Sequence, residues 1–138
     1  MNDSMRALPV RLRPRQDLRG ALAAVLAEQG VQAGFVVQGI GSLSVARIRF
    51  AGVDAITELR GDLEILTLAG SLSTNGAHLH ISVSDAAGRV VGGHVAAGCI
   101  VRTTAEILVA LLPDHDFSRE PDAESGWDEL VIRSAARP

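Results

Sequence analysis

The periodicity of the apolar residues changes once along this chain, near Ala33, and that change limits the folds open to it. Before this point, Asp17 can cap a helix that ends at Gly30 and whose apolar residues recur with helical spacing. Those apolar residues are Leu18, Leu22, Val25 and Leu26. After Ala33, β-branched residues and short turn sequences dominate. The sequence therefore predicts an α+β fold with one principal N-terminal helix and a mostly antiparallel or mixed β-sheet.

The extended segments form a succession of predicted strands. The first, around Val10, alternates apolar residues with arginines and is expected at a sheet edge because prolines accompany it. Residues 39–42 are interpreted as a turn, and Gly61 with Asp62 separates two further strands. The predicted strands cover residues 7–14, 35–38, 45–50, 56–60, 63–72, 78–84, 89–94, 100–103 and 130–132.

Two segments near the C-terminal end are harder to assign. Residues 105–112 contain an apolar run that fits a buried strand or a buried helix, and a strand is favoured because the run continues an extended segment up to Pro113. Residues 114–126 are polar and acidic, which predicts a loop or a short turn of helix. His115 is accordingly expected to be a solvated loop residue, and Trp127 is expected to anchor the C-terminal segment by packing.

Length and composition bound the class of protein. With 138 residues, 47% of them hydrophobic, the chain can fill one domain, expected at residues 6–133 with tails at 1–5 and 134–138. Its longest apolar run, residues 21–27, is too short to cross a membrane. The N-terminal sequence lacks the apolar stretch of a secretory signal, and one cysteine cannot form an internal disulfide, so a cytoplasmic location is expected.

The charged residues are distributed unevenly. All basic residues are arginines, five of them within residues 1–19, whereas seven acids lie within residues 114–129. The net charge of −3 argues against a broad nucleic-acid surface, because neutralised phosphates supply most non-specific affinity for nucleic acid. The cluster of Arg11, Arg13 and Arg15 is interpreted as a solvated strand or loop rather than a phosphate contact.

Three of the four histidines lie within seventeen positions and suggest a common site. His78 and His80 are two residues apart, so on a strand both imidazoles lie on one face while Leu79 and Ile81 enter the other. Residues 85–89 suit a three-residue hairpin loop with Gly88 in the left-handed conformation. In that register paired positions sum to 174, which places His94 opposite His80.

The same register places His78 opposite Ala96, and it brings all three imidazoles within reach of one metal ion. A two-residue loop would instead put His94 on the opposite face. Three imidazoles with an open fourth position are typical of zinc, although nickel, copper or iron accept the same donors. Surface or hydrogen-bonded structural histidines are the alternative. Gly92 and Gly93 leave room for a ligand or another backbone to approach.

The order of these motifs resembles the PPC domain, which is conserved between plants and prokaryotes, over residues 6–133. The motifs are Gly39-Ile40-Gly41-Ser42-Leu43, residues 63–73, His78-Leu79-His80, Gly92-Gly93-His94, Gly98-Cys99 and Thr103-Thr104-Ala105-Glu106. The resemblance implies an α+β fold that assembles as a homotrimer. It also implies that the trio of His78, His80 and His94 forms a divalent metal site. The plant relatives carry an additional Arg-Gly-Arg-Pro element that binds DNA, and this chain has Leu12 where that element needs glycine.

Residues outside the trio have several interpretations. Cys99 is expected to be a small buried residue. Glu106 lies in an apolar stretch and is interpreted as a trimer-interface partner, an outward residue or, less favoured, a proton carrier near the site. Asn75 belongs to a turn expected to border the site. Three functions stay open: a zinc-binding trimer, a DNA-associated regulator, and a metal-dependent enzyme on an unidentified small molecule.

Overall fold

The computed structural model describes residues 4–135 and contains eight strands and two short helices in that range. Residues 1–3 and 136–138, which belong to the predicted tails, lie outside the described residues. The elements are β1 (Arg6–Leu12), α1 (Leu18–Ala23), α2 (Val25–Gln29), β2 (Gly34–Arg49), β3 (Ile56–Ser73), β4 (Gly76–Ser84), β5 (Val90–Val95), β6 (Ile100–Leu111), β7 (His115–Pro121) and β8 (Asp128–Ser134).

Six strands form one antiparallel sheet in the order β1-β6-β2-β3-β4-β5, and β7 pairs with β8 in a separate hairpin. The end of β5 also pairs with the end of β2, where Ile48 lies opposite Val95 and Arg49 opposite His94. This second pairing closes β2, β3, β4 and β5 into a ring of four strands. The predicted α+β class with a mostly antiparallel sheet is confirmed, and β1 lies at the edge of the sheet as expected.

The N-terminal helix begins and ends where the sequence predicts. The Asp17 carboxylate accepts a hydrogen bond from the Gly20 backbone N–H at 2.7 Å, and Gly30 ends α2 in the left-handed conformation with φ of 67°. A turn at Ala24 divides the helix into α1 and α2. Its four apolar residues, Leu18, Leu22, Val25 and Leu26, are all buried in the core. Within residues 4–135 no helix has both the length and the apolar character to traverse a bilayer.

The predicted turn at residues 39–42 is wrong, because β2 continues through it as one strand. Gly41 has a φ of +145°, and a Cβ there would lie 2.1 Å from the Thr104 carbonyl oxygen. The glycine therefore allows β6 to approach, while register shifts along β2 bend the strand. Likewise β3 runs without interruption past Gly61, whose φ is +131°.

The C-terminal third contains one confirmed and one wrong assignment. Residues 105–112 form a strand as favoured, since they belong to β6 up to Leu111. The predicted loop at residues 114–126 is wrong in part, because the whole of β7 lies there and His115 is its first residue. This polar strand is stable because it pairs with β8 and buries one large side chain, Phe117, whose ring contacts that of Phe35.

Candidate metal centre

The alternation of β4 presents two histidines on the outer face of the sheet. Leu79 and Ile81 are buried in the core, whereas His78 is half-buried and His80 is exposed. A strand places successive side chains on opposite faces, so the apolar pair fixes the direction of both imidazoles. The core therefore determines where these two donors lie.

The turn after β4 sets the register of the third histidine, His94, and the register predicted for this hairpin is confirmed. Gly88 has a φ of 78°, and the Asp85 backbone N–H donates to the Arg89 carbonyl at 2.9 Å. The resulting ladder pairs His80 with His94. The predicted partnership of His78 with Ala96 is not formed, because β5 leaves β4 beyond His94 and continues against β2.

The three imidazoles form a compact group. Each offers one ring nitrogen, and these nitrogens lie within 4.8 Å of one another. The ring centroids of His80 and His94 are 4.6 Å apart, those of His78 and His80 4.9 Å, and those of His78 and His94 5.4 Å. Imidazole nitrogens suit zinc and other transition metals, so this donor set fits a divalent metal ion.

The two glycines before His94 allow neighbouring strands to approach closely. A Cβ at Gly92 would lie 2.6 Å from the Ile81 carbonyl oxygen, and one at Gly93 would lie 2.5 Å from the Arg49 carbonyl oxygen. Both positions therefore require glycine for the close approach of a neighbouring strand. Of the two expected occupants, a ligand or another backbone, the structure places the backbone there.

Asn75 holds Arg119 beside the histidines. Its amide donates to the Arg119 carbonyl at 2.9 Å and accepts from the Arg119 backbone N–H at 2.7 Å. The Arg119 guanidinium lies 3.4 Å from Nδ1 of His78. Because a guanidinium only donates, this Nδ1 must accept, which requires a neutral imidazole. If an ion bound Nδ1 of His78, it would take the place of the Arg119 donor. If it bound Nε2, Nδ1 would carry the proton and could not accept a hydrogen bond. Metal binding through either nitrogen would therefore break this hydrogen bond.

The electrostatics of the site favour neutral imidazoles. Burial lowers the pKa of His78, and the Arg119 guanidinium lowers it further, while Glu129 opposes the shift. Burial also lowers the pKa of His94, with a further contribution from Arg49. Metal ions bind the neutral form of imidazole, so both shifts keep these donors available at neutral pH.

Two of the cavities beside the cluster are lined by both His78 and His94. The first, of 340 Å³, is lined by Arg19, Arg49, Ile56, Ala77, His78, Leu79, His94, Val95, Ala96 and Ala97. The second, of 600 Å³, is lined by Arg49, Gly52, Asp54, His78, His94, Arg119, Trp127, Asp128 and Glu129. The expectation that Trp127 is a packing anchor is wrong, because the residue is 73% exposed and lies at this second cavity.

Glu106 lies apart from the cavities that the histidines line. Its exposed side chain accepts a hydrogen bond from Thr104, and it lines a surface groove of β1, β2 and β6 that includes Ile40 and Leu108. Cys99 is fully buried as expected, and burial raises the pKa of its thiol. The structure therefore gathers the three histidines with Asn75, Gly92 and Gly93, but not with Glu106.

Arg49 and Arg119 carry no signal in the sequence that marks them as residues of the site, and Trp127 is predicted only as a packing anchor. Arg49 is directly opposite His94 through the pairing of β5 with β2, which lies 45 positions away and has no local signal. Arg119 belongs to the acidic segment 114–126, whose composition predicts a loop and not the strand β7, and Trp127 follows that segment directly. Phe117 is the one buried residue of β7, so this strand has no apolar alternation that could have indicated it from the sequence.

Comparison with known proteins extends over almost the whole chain. Two Synechococcus proteins named bifunctional protein GlmU are 46% and 47% identical over 133 residues. The matched region covers 96% of this chain but only 21% of the length of each of these relatives. A solved structure of a hypothetical protein from Salmonella cholerae-suis is 40% identical, with a TM-score of 0.93 and 99% of each chain covered.

A second solved structure shares the fold at greater distance. It is a metal-containing protein from Archaeoglobus fulgidus, 25% identical, with a TM-score of 0.79 and coverage of 91% of this chain and 93% of that one. A profile of the Plants and Prokaryotes Conserved (PCC) domain matches residues 1–113, which include β1 to β6 and all three histidines of the cluster. With this match the chain belongs to the Plants and Prokaryotes Conserved domain family.

Proposed function

We propose that this protein binds a divalent metal ion, zinc, through His78, His80 and His94. The observation that carries the proposal is the grouping of three imidazole nitrogens within 4.8 Å on one face of the sheet. The related protein from Archaeoglobus fulgidus is a metal-containing protein, which supports it. Three neutral nitrogen donors leave a coordination position open, as catalytic zinc sites do.

Partial burial would prepare the cluster for this role. A zinc ion held by three imidazoles polarises a bound ligand or water. Half-burial of His78 and His94 keeps the donors neutral, and Asn75 fixes the backbone of Arg119 at the edge of the site. Arg49 and Arg119 line the 600 Å³ cavity beside the cluster, where Asp54, Asp128 and Glu129 offset their positive charge.

The direct test is metal analysis of protein purified without an affinity tag. We expect one zinc per chain in the native sequence and near-zero metal in His80→Ala, because two imidazoles bind zinc much more weakly than three. His115→Ala is the matched control, since His115 lies in β7 outside the cluster and should leave the metal content unchanged. Equal, near-zero metal in the native protein and His80→Ala would end the proposal.

We propose further that the protein assembles as a homotrimer. Apolar side chains on the outer face of the large sheet support this, because Ile40 is 53% exposed and Leu66 and Leu108 are each 43% exposed. Burial of this face between subunits would remove them from water. Light scattering should give three times the monomer mass, and Ile40→Asp should shift the mass towards the monomer. A monomeric native protein at micromolar concentration would contradict the proposal.

Nucleic-acid binding has less support on the described surface. Within residues 4–135, several exposed arginines are paired with carboxylates and so offer little free charge to phosphate. These pairs are Arg47–Glu58, Arg60–Glu58, Arg102–Asp62 and Arg133–Glu120. Duplex DNA binding at low salt, where phosphate contacts are strongest, is the measurement that separates this role from the metal-binding one.

A further inference from the structure

Two arginines beside the histidine cluster lack the partner that a buried charge requires. Arg19 and Arg49 are both half-buried, and the structure gives each one side-chain hydrogen bond, to a backbone carbonyl. Arg19 donates to the Ala77 carbonyl at 3.3 Å and Arg49 to the Val53 carbonyl at 3.5 Å. A guanidinium has five N–H donors, so most of these donors remain available.

Neither charge is neutralised within the described part of the chain. No carboxylate of residues 4–135 comes within 4.0 Å of the Arg19 or Arg49 guanidinium, whereas five other arginines have such partners. Asp54 lines the larger cavity together with Arg49 but does not pair with it. Removing a cation partly from water without a counter-charge costs free energy, and a bound anion would recover it.

Both arginines line the 340 Å³ cavity, and this cavity contains no carboxylate. His78 and His94 form another part of its lining, so the ion of the proposed metal site would add positive charge at the same place. The remaining surface is apolar and includes Ile56, Val95 and Ala96. The volume lies at the small end of the range for ligand sites in proteins.

We propose that this cavity binds a small organic oxyanion, with an acidic headgroup at Arg19 and Arg49 and a short apolar body against Ile56, Val95 and Ala96. The headgroup is a carboxylate or a phosphate, since a guanidinium binds both through paired N–H donors. The inference extends the proposed function. It rests on that function only for the part of the attraction between cavity and anion that the ion held by the histidines would supply. The two arginines make their own contribution with or without the ion.

The experiment titrates zinc-loaded and metal-free protein with butyrate, ethyl phosphate and the neutral amide butyramide, and follows binding by NMR shifts of the β5 amides. Butyrate or ethyl phosphate should bind, and butyramide, which has nearly the shape of butyrate, should not. Whichever anion binds more tightly identifies the headgroup. Arg49→Gln and Arg19→Gln should each weaken binding about tenfold, the value expected for one charged hydrogen bond. Arg60→Gln is the control, because Arg60 is exposed and lines neither cavity.

The outcomes separate this inference from the proposed function. Zinc that binds normally without any response to either anion would overturn the oxyanion site alone. Equal binding of butyrate and butyramide, or binding unchanged in both Arg49→Gln and Arg19→Gln, would do the same. Absence of zinc from the native protein would overturn the metal proposal, and the metal-free titration would still decide whether the arginines bind an anion.

Discussion

Two antiparallel hairpins meet at the candidate site, and they are held in the molecule in different ways. The β4–β5 hairpin buries Leu79, Ile81 and Val83 against the core and carries all three histidines. The β7–β8 hairpin buries only Phe117 and carries Arg119 and neighbouring polar residues. The donors therefore lie on the backbone that the core fixes, and the residues that modify them lie on a hairpin attached through fewer buried groups.

The attachment of the β7–β8 hairpin is mainly polar. The Thr74 backbone N–H donates to the Phe117 carbonyl at 3.0 Å, and the Phe117 N–H donates to the Gln32 carbonyl at 3.0 Å. The two hydrogen bonds between Asn75 and Arg119 complete this contact. Such bonds each contribute about 1 kcal/mol, so this hairpin can separate from the sheet at lower cost than β4–β5.

The largest effect is expected from a methyl group placed where β5 meets β2. Gly93→Ala puts a Cβ 2.5 Å from the Arg49 carbonyl oxygen, and the rigid backbone must move to accommodate it. We expect the free energy of unfolding to fall by about 3 kcal/mol, as for an overpacked core. Urea denaturation provides the measurement.

Gly88→Ala and Gly126→Ala are the matched controls in the two hairpin turns. Both glycines have a φ near 80°, and nothing lies within 4 Å of an added Cβ at either position. Each substitution should cost only the strain of the left-handed conformation, about 1 kcal/mol. A Gly93→Ala loss no greater than these two would show that the junction of β5 and β2 is not tightly packed.

The second-largest effect is expected from a substitution that weakens the attachment of the β7–β8 hairpin and leaves the β4–β5 hairpin intact. Asn75→Ala removes two hydrogen bonds to the backbone of Arg119, and should cost about 1–2 kcal/mol. Hydrogen exchange should accelerate at the amides of β7 and β8 and stay unchanged in β4 and β5. Ser125→Ala, in the exposed turn of the β7–β8 hairpin, is the control. Equal acceleration in both hairpins would mean that they unfold as one unit.

The contrast between the hairpins also explains what the sequence could predict. The β4–β5 hairpin has a strict alternation and a turn whose glycine sets the register, so the pairing of His80 with His94 follows from local residues. The positions of Gly41 and Gly61 inside long strands could not be predicted, because a glycine that bends a long strand has the same local sequence pattern as a glycine in a turn. Arg49 and Arg119 reach the site through pairings distant in sequence, and the residues themselves do not encode them.

The third effect concerns the affinity for metal. Arg119 donates to His78 and places a positive charge beside the cluster, and both features oppose a bound cation. We therefore expect Arg119→Gln to bind zinc a few-fold more tightly than the native protein, measured by competition with a chromogenic chelator. Arg133→Gln changes the same charge on the same hairpin away from the cluster and is the control. Weaker zinc binding in Arg119→Gln would show that the arginine supports the site instead of competing with the ion.

The smallest effect is the response of the β7–β8 hairpin to acid. The pKa of Glu120 is lowered to about 2, first by the hydrogen bond from Arg133 and then by that from Ser118. Because the folded pKa lies below the ordinary value of 4.5, the pair stabilises the protein above pH 4.5, and this contribution is lost as the pH falls towards 2. The side chain of Glu120 is 40% exposed, so solvent screening keeps the effect small. Urea midpoints of the native protein and Glu120→Gln should differ most at pH 7, differ less at pH 3 and converge near pH 2, whereas Glu124→Gln, an exposed change in the same hairpin, should give a constant offset. The native protein and Glu120→Gln could instead differ by the same amount at pH 7 and pH 3. The ion pair would then contribute nothing to holding β7 against β8, and the hairpin would depend on Phe117 and its backbone hydrogen bonds alone.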